Sequence, residues 1–220
     1  LWAANWQWSK GAKLARQNGI IMKNENQPPL SVDDLSGINP VTNQWRIIRV
    51  SGSFSDAHQF LIKNQYSPNG VFGFHVAQLF TLASANKSSS SQNIWVDRGW
   101  VAAGKNAQTG PVIPALPTTL NQVHLRIRAE ALIHEVKGSF IATGSSPALL
   151  KSMQNFQGVE AAPFYTDLVG SSNSAIQPLS AEQLPDLSTG PHYAYAFQWW
   201  FFAFIILVAR GVLLREKVKH

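Results

Sequence analysis

Cysteine is missing from all 220 residues. That excludes disulfides, thiolate chemistry and cysteine-based metal sites, and it suits an exported domain that does not rely on oxidation. Charge is sparse too. Charged residues make up 14% of the chain, and the net charge of +6 is spread without a Lys/Arg cluster interleaved with aromatics. A nucleic-acid surface needs such a cluster, so no nucleic-acid partner is expected. Phosphate loops, dinucleotide fingerprints, nucleophile elbows and zinc-protease helices are all absent. The histidines (His58, His75, His124, His134, His192 and His220) include no two at helical ligand spacing. The acidic residues offer no obvious pair beyond Asp33-Asp34, which reads as turn chemistry. No repeat occurs at a fixed period. The expectation is a protein that is not an enzyme and holds no metal site of its own.

The distribution of apolar residues says more than their number. From Tyr193 to Val208 the only strongly polar side chain is Gln198, and the next charge is Arg210. The 22 residues to Leu214 rise about 33 Å as a helix and span a bilayer core with modest tilt. Few soluble helices stay apolar on every face for so long. After the span come Arg215, Glu216, Lys217, Lys219 and His220, a short basic tail of the kind retained in the cytoplasm. Tyr193, Tyr195, Trp199 and Trp200 crowd the opposite end as an aromatic belt, so the preceding domain is expected outside the cytoplasm. Trp2, Trp6 and Trp8, followed by Lys10, Lys13 and Arg16, resemble the outer end of a first membrane helix lying mostly upstream. An ordinary amphipathic segment is the other reading of that stretch.

Strand patterns fill the middle. Residues 46–54 are β-branched and roughly alternating, and Phe60-Leu61-Ile62, residues 71–76 and residues 94–101 follow as further runs. The Ser-rich residues 86–91 read as a loop tip, and Pro111, Pro114 and Pro117 block a regular ladder. The clearest alternation runs from Val123 to Ile133, placing His124 and His134 on a solvated face. Phe140-Ile141-Ala142 and residues 164–168 suggest short strands, and Ser180 a capped turn to Leu184. The fold class is thus a membrane-anchored α+β protein with a β-rich extracytoplasmic domain of five to seven strands. Its expected divisions are 1–8 for the end of a first transmembrane helix and 9–190 for the domain. The second transmembrane helix takes 191–214 and the basic tail 215–220.

One constellation stands out where domain and membrane meet. At about 100° per residue, His192, Tyr195, Ala196, Trp199 and Ala203 share a helix face. Small Ala196 and Ala203 between aromatic planes would leave a shallow groove for a flat macrocycle, with the His192 imidazole in reach of its iron. Read from the residues alone, an interfacial belt explains them better.

These segments, taken in order, resemble the surfeit locus 1 family of cytochrome c oxidase assembly factors. Trp6-Gln7 with Lys10 resembles the family's Trp-Gln-x-x-Arg, and residues 50–54 its first strand. Gly70-x-x-Gly73-Phe74 is similar to its second glycine block, and residues 96–101 to its Asn/Asp-Arg-Gly-Trp-Val signature. His192-x-x-Tyr195-x-x-Gln198-Trp199 matches the opening of its second membrane helix. The departures are Lys10 for Arg, Ala102 and Gln78-Leu79 where proline is usual, and a partial block at Phe164-Tyr165-Thr166-Asp167. The resemblance implies a multi-pass plasma-membrane protein that assists haem a delivery into the catalytic subunit of a haem-copper oxidase. Haem a is then a transient cofactor, and oxidase subunits and membrane lipid are the partners. It implies a haem-binding role for His192, with Tyr195 and Trp199 shaping the groove. Arg98, Gly99 and Trp100 take a partner-binding or structural role, whether Arg98 meets a haem propionate, an acidic residue, or neither. Two rivals stand beside this reading: a permanent accessory subunit of an oxidase or respiratory supercomplex, and an extracytoplasmic sensor or binding module.

Overall fold

The computed structural model describes residues 1–32, 35–83, 92–104, 110–128, 159–180 and 187–219. Two helices flank a run of strands: α1 (Trp2–Glu25), β1 (Leu30–Ser31), β2 (Ile47–Tyr66), β3 (Phe72–Leu82), β4 (Asn93–Ala102), β5 (Asn121–Arg128), β6 (Tyr165–Ser171) and α2 (His192–Lys219). The chain forms two compact units. One is Leu1–Met22 with Leu184–His220, and the other is Lys23–Gln183. The expectations for residues 86–91, for His134, for Phe140-Ile141-Ala142 and for the turn after Ser180 lie outside the described residues.

In the strand unit, the runs at 46–54 and 60–62 are one strand. Between them the register with β3 shifts from Phe54 to Gln59, a bulge where Ser55 Oγ meets His58 Nδ1 at 2.8 Å. A bulge bends a strand without ending it, which is why the polar break in the pattern is not a turn. The bend lets β2 change partners. It pairs antiparallel with β5 through Ile47–Gly52 and with β3 from Gly52 to Tyr66. β3 then pairs with β4, β4 with β6 in parallel, and β6 with β5. The cycle β2-β3-β4-β6-β5 closes on itself, a five-stranded Greek-key barrel of the OB type. β1 lies parallel along the start of β2.

Gly52 stands at the change of partners, opposite both Leu82 and Asn121. A Cβ there would lie 2.1 Å from the Thr81 carbonyl oxygen, so only glycine lets the strands approach.

Period two fills the barrel. Ile48, Val50 and Phe54 of β2, Phe80 and Leu82 of β3, Ile94 and Val96 of β4, and Val123, Leu125 and Ile127 of β5 all point inward. Leu35, Leu116 and Ile176 complete this core. Each such side chain contributes about 1.5–3 kcal/mol on burial. The inward alternation on β3 and β4 ends in two polar residues, Gln78 and Arg98, both buried. A second cluster of Phe60, Ile62, Ala77, Leu79 and Trp95 covers an outer face beneath Ala161.

The helical unit pairs α1 and α2 antiparallel. Ala4, Gln7, Gly11, Leu14 and Asn18 are among the less exposed positions of α1, spaced three and four apart along one face. Asn18 Nδ2 donates to the carbonyls of Leu187 (2.6 Å) and Ser188 (3.3 Å). Trp8 lies 5.0 Å from Tyr193 and 5.5 Å from Trp200. Gly11 faces the Tyr193 ring, where a Cβ would sit 3.1 Å from its carbons. The helix runs unbroken past residue 8 to Glu25.

Among the described residues one helix is long and apolar enough to cross a membrane, His192–Val218. Its 27 residues rise about 40 Å against a hydrocarbon core of about 30 Å.

Candidate functional site

The sequence singles out two places, and each lies within its own unit. In the helical unit, His192 opens α2 and its Nδ1 lies 2.7 Å from Gln7 Oε1. The ring makes no other hydrogen bond among the described residues. At about 100° per residue, Tyr193, Ala196 and Trp200 form the side of α2 turned to α1, while Tyr195 and Trp199 lie on the opposite flank of His192. Those two are 47% and 48% exposed. Ala196 is wholly buried. The groove expected over Ala196 is therefore closed, because a small residue lets helices approach and is covered by that approach. The open surface beside His192 is the aromatic flank of Tyr195 and Trp199. It offers what a flat apolar ligand with a metal at its centre requires: an exposed ring face and an imidazole nitrogen free of protein partners.

The α1 side explains the Trp-Gln-x-x-basic pattern. Trp6 and Lys10 are four residues apart, so the Lys10 ammonium lies over the Trp6 ring at 4.3 Å. Gln7, on the seam, reaches His192. Sequence reasoning quoted Gln7 only as part of a motif. The signal for its role was an amide set between the small residues Ala4 and Gly11 on that seam.

In the strand unit, Asp97-Arg98-Gly99-Trp100 each hold something. Arg98 is inside the barrel, donating from Nη1 to Gln78 Oε1 (2.9 Å) and from Nη2 to the Pro114 carbonyl (2.7 Å). Gln78 in turn donates to the Ser55 carbonyl in the β2 bulge (3.1 Å). Burial pushes the Arg98 guanidinium down to about 10, and Asp56 pulls the other way. Its hydrogen-bond partners are thus neutral groups of the fold, and at 1% exposure it presents nothing to a haem propionate.

Gly99 has φ +108°, a region that side-chain-bearing residues avoid. A bulge lies there, seen as a register shift between His75 and Ala77 opposite it. The turn is pinned from both sides. Asp97 Oδ1 accepts from Gly99 N (2.8 Å), the Arg98 carbonyl accepts from Leu179 N (2.7 Å), and Trp100 N donates to Ser180 Oγ (2.9 Å). Trp100 covers Gly73, where a Cβ would meet its indole at 2.5 Å.

A row of charge crosses the outer face beside this turn. His75 Nδ1 meets Asp97 Oδ2 at 2.7 Å, Asp97 and Asp167 are register partners, and Arg128 Nη1 donates to Asp167 Oδ2 at 2.5 Å. Arg126 and Arg128 lie over the Trp45 ring at 4.9 and 4.8 Å. Burial pushes Asp167 above the usual carboxylate range, against the pull of Arg128. Burial works against the charge on His75, but the hydrogen bond and charge of Asp97, with Asp167 behind it, outweigh burial and Arg128 and hold His75 above 6.5. No sequence signal announced this row, because its members come from four strands. No cluster of three or more His, Asp or Glu suited to a metal ion occurs among the described residues.

A closed β-barrel unit joined to a helix able to cross a bilayer defines a membrane-associated protein whose signature residues serve the barrel. A sequence model of the SURF1 family matches residues 1–204, and the chain belongs to that family, which is known for cytochrome oxidase assembly. It is similar to uncharacterized SURF1-like proteins of Mycobacterium bovis and of two Mycobacterium tuberculosis strains. Each is 23% identical over 222 residues, covering 98% of this chain and 78% of the relative.

Two measurements test the strand unit. Gly99→Ala places a Cβ 2.9 Å from Ser180 Oγ and 3.0 Å from Ser180 N at a positive φ, and should destabilise the barrel by about 1–3 kcal/mol in denaturant unfolding of the detergent-solubilised chain. An unmoved midpoint would mean that the Ser180 segment yields freely. The second concerns pH. A histidine raised on folding contributes stability that is complete below its unfolded value of 6.5 and is lost as pH rises through the folded one. Barrel unfolding should therefore become easier as pH rises above about 6.5, and His75→Gln should flatten that slope.

Proposed function

We propose that this chain is a cytochrome oxidase biogenesis factor. It holds haem a transiently at the head of α2, beside the nascent catalytic subunit of a haem-copper oxidase, and performs no catalysis of its own. The observation that carries this reading is His192. It has one ring nitrogen engaged by Gln7 and the other without a partner among the described residues, next to two exposed aromatic side chains, in a member of an oxidase-assembly family. When bound, haem would supply an iron that an imidazole can ligate. His192 would present Nε2, and Tyr195 and Trp199 would lie against the macrocycle. The barrel, whose signature is occupied with its own closure, would serve as the part that meets the oxidase.

In this reading α2 spans the plasma membrane with its basic end in the cytoplasm, and the strand unit is extracytoplasmic. The flanks support it: Arg215, Lys217 and Lys219 at one end, Tyr195, Trp199 and Trp200 at the other. The absence of cysteine makes the test clean. Asn69→Cys, at the exposed tip between β2 and β3, should react with an impermeant maleimide added outside intact cells. Labelling only after the membrane is opened would reverse the orientation.

The functional test compares His192→Ala with His124→Ala, whose ring accepts from Arg49 on an exposed strand face (3.2 Å). At matched membrane levels, His192→Ala should lower the haem absorbance of the purified protein and the haem a content of the oxidase, and His124→Ala should leave both unchanged. Equal haem in the two variants would return His192 to the part of an interfacial residue. Oxidase recovered with this chain at constant stoichiometry after maturation would favour a permanent accessory subunit instead.

A further inference from the structure

We infer that Gln7 is the positioning residue for His192: its side-chain carbonyl selects the imidazole tautomer that leaves Nε2 unprotonated. The inference rests on the haem reading for its purpose, though not for its geometry.

A carboxamide oxygen can only accept. At 2.7 Å from Nδ1, it requires that nitrogen to carry the proton, and a neutral ring then has its lone pair on Nε2. A histidine that ligates a metal through Nε2 needs the other N–H anchored in this way, to fix both tautomer and ring orientation. An unanchored imidazole in water favours the opposite tautomer, with the proton on Nε2.

The surroundings support a dedicated contact. Gln7 occupies the α1 seam between Ala4 and Gly11, where both neighbours on the stripe are small and buried. Gly11 admits the Tyr193 ring, and Trp8 stands against Tyr193 and Trp200, so the helices are locked side by side around the pair. An amide in that seam is disfavoured unless it is hydrogen-bonded, and His192 is the partner it has. The pair spans two helices 185 residues apart in sequence. The ligand nitrogen is thus set by α1 although the histidine belongs to α2, and the site exists only where both helices are in register.

The test uses the full chain in detergent micelles at about pH 8, with histidine labelled by nitrogen-15 and His192 assigned from its loss in His192→Ala. Without haem, the wild type should show Nδ1 protonated and Nε2 bare, and Gln7→Leu, of similar volume, should move the ring toward the opposite tautomer. With ferric haem b as the probe, Gln7→Leu should weaken binding about 10-fold or more. Gln7→Glu should restore it and lower the haem midpoint potential, because a carboxylate makes the imidazole a stronger donor. Trp fluorescence checks that the helices stay paired, and should Gln7→Leu loosen them, Gln7→Glu alone decides through tautomer and potential.

An Nε2-protonated ring in the wild type would overturn the inference, as would Gln7→Leu behaving like wild type while His192→Ala loses haem. Haem binding that survives His192→Ala would refute the haem reading instead, and the tautomer spectra would still decide the role of Gln7.

Discussion

β2 must satisfy two ladders in turn. Up to Gly52 its backbone bonds to β5, and from Gly52 onward to β3, with the Phe54–Gln59 bulge taking up the bend. A closed sheet leaves no long edge in its cycle, and it closes only if one strand can turn the corner. The remaining constraints follow from that corner. Gly52 must lack a side chain because the Thr81 carbonyl occupies its place. Arg98 must reach the bulge, which it does through Gln78, and its second hand holds Pro114 across the end of the core.

The most specific internal motif of the chain is therefore an organ of the fold. Asp97 shapes the turn and meets His75, Arg98 ties the core, Gly99 supplies a backbone angle, and Trp100 covers Gly73. Leu179 and Ser180 dock on the same turn. Tyr195 and Trp199, by contrast, are about half exposed, and His192 keeps one ring nitrogen without a hydrogen-bond partner among the described residues. This division also explains why Lys10 can replace arginine: a cation over the Trp6 ring is what the position uses, and an ammonium provides it.

Much of this was legible in the residues. Four of the strand runs, the apolar helix and the His192 segment follow from local pattern, because period two, turn residues and uninterrupted hydrophobicity are local signals. The union of residues 46–54 and 60–62 was not, since a bulge and a loop look alike where polar residues interrupt alternation. The charge row escaped for another reason. His75, Asp97, Arg128 and Asp167 meet only because β6 inserts between β4 and β5, and nothing local encodes strand order. At Ala196 the pattern located a small residue on the right face. What it could not tell was whether the space above held a ligand or a helix.

The parallel contact between β4 and β6 sets the timing of assembly. Asp97 and Asp167 are register partners seventy positions apart, and Val50 waits a comparable span for Val123. Contacts that enclose long loops form late in a folding reaction. During synthesis the β2-β3-β4 meander can pair as it emerges, yet its outer edges stay open until Ser171 is available, and α2 begins at His192. The strand that seals the barrel and the helix able to cross a bilayer thus leave the ribosome almost together. Until β6 emerges the sheet keeps open edges, the state most prone to aggregate.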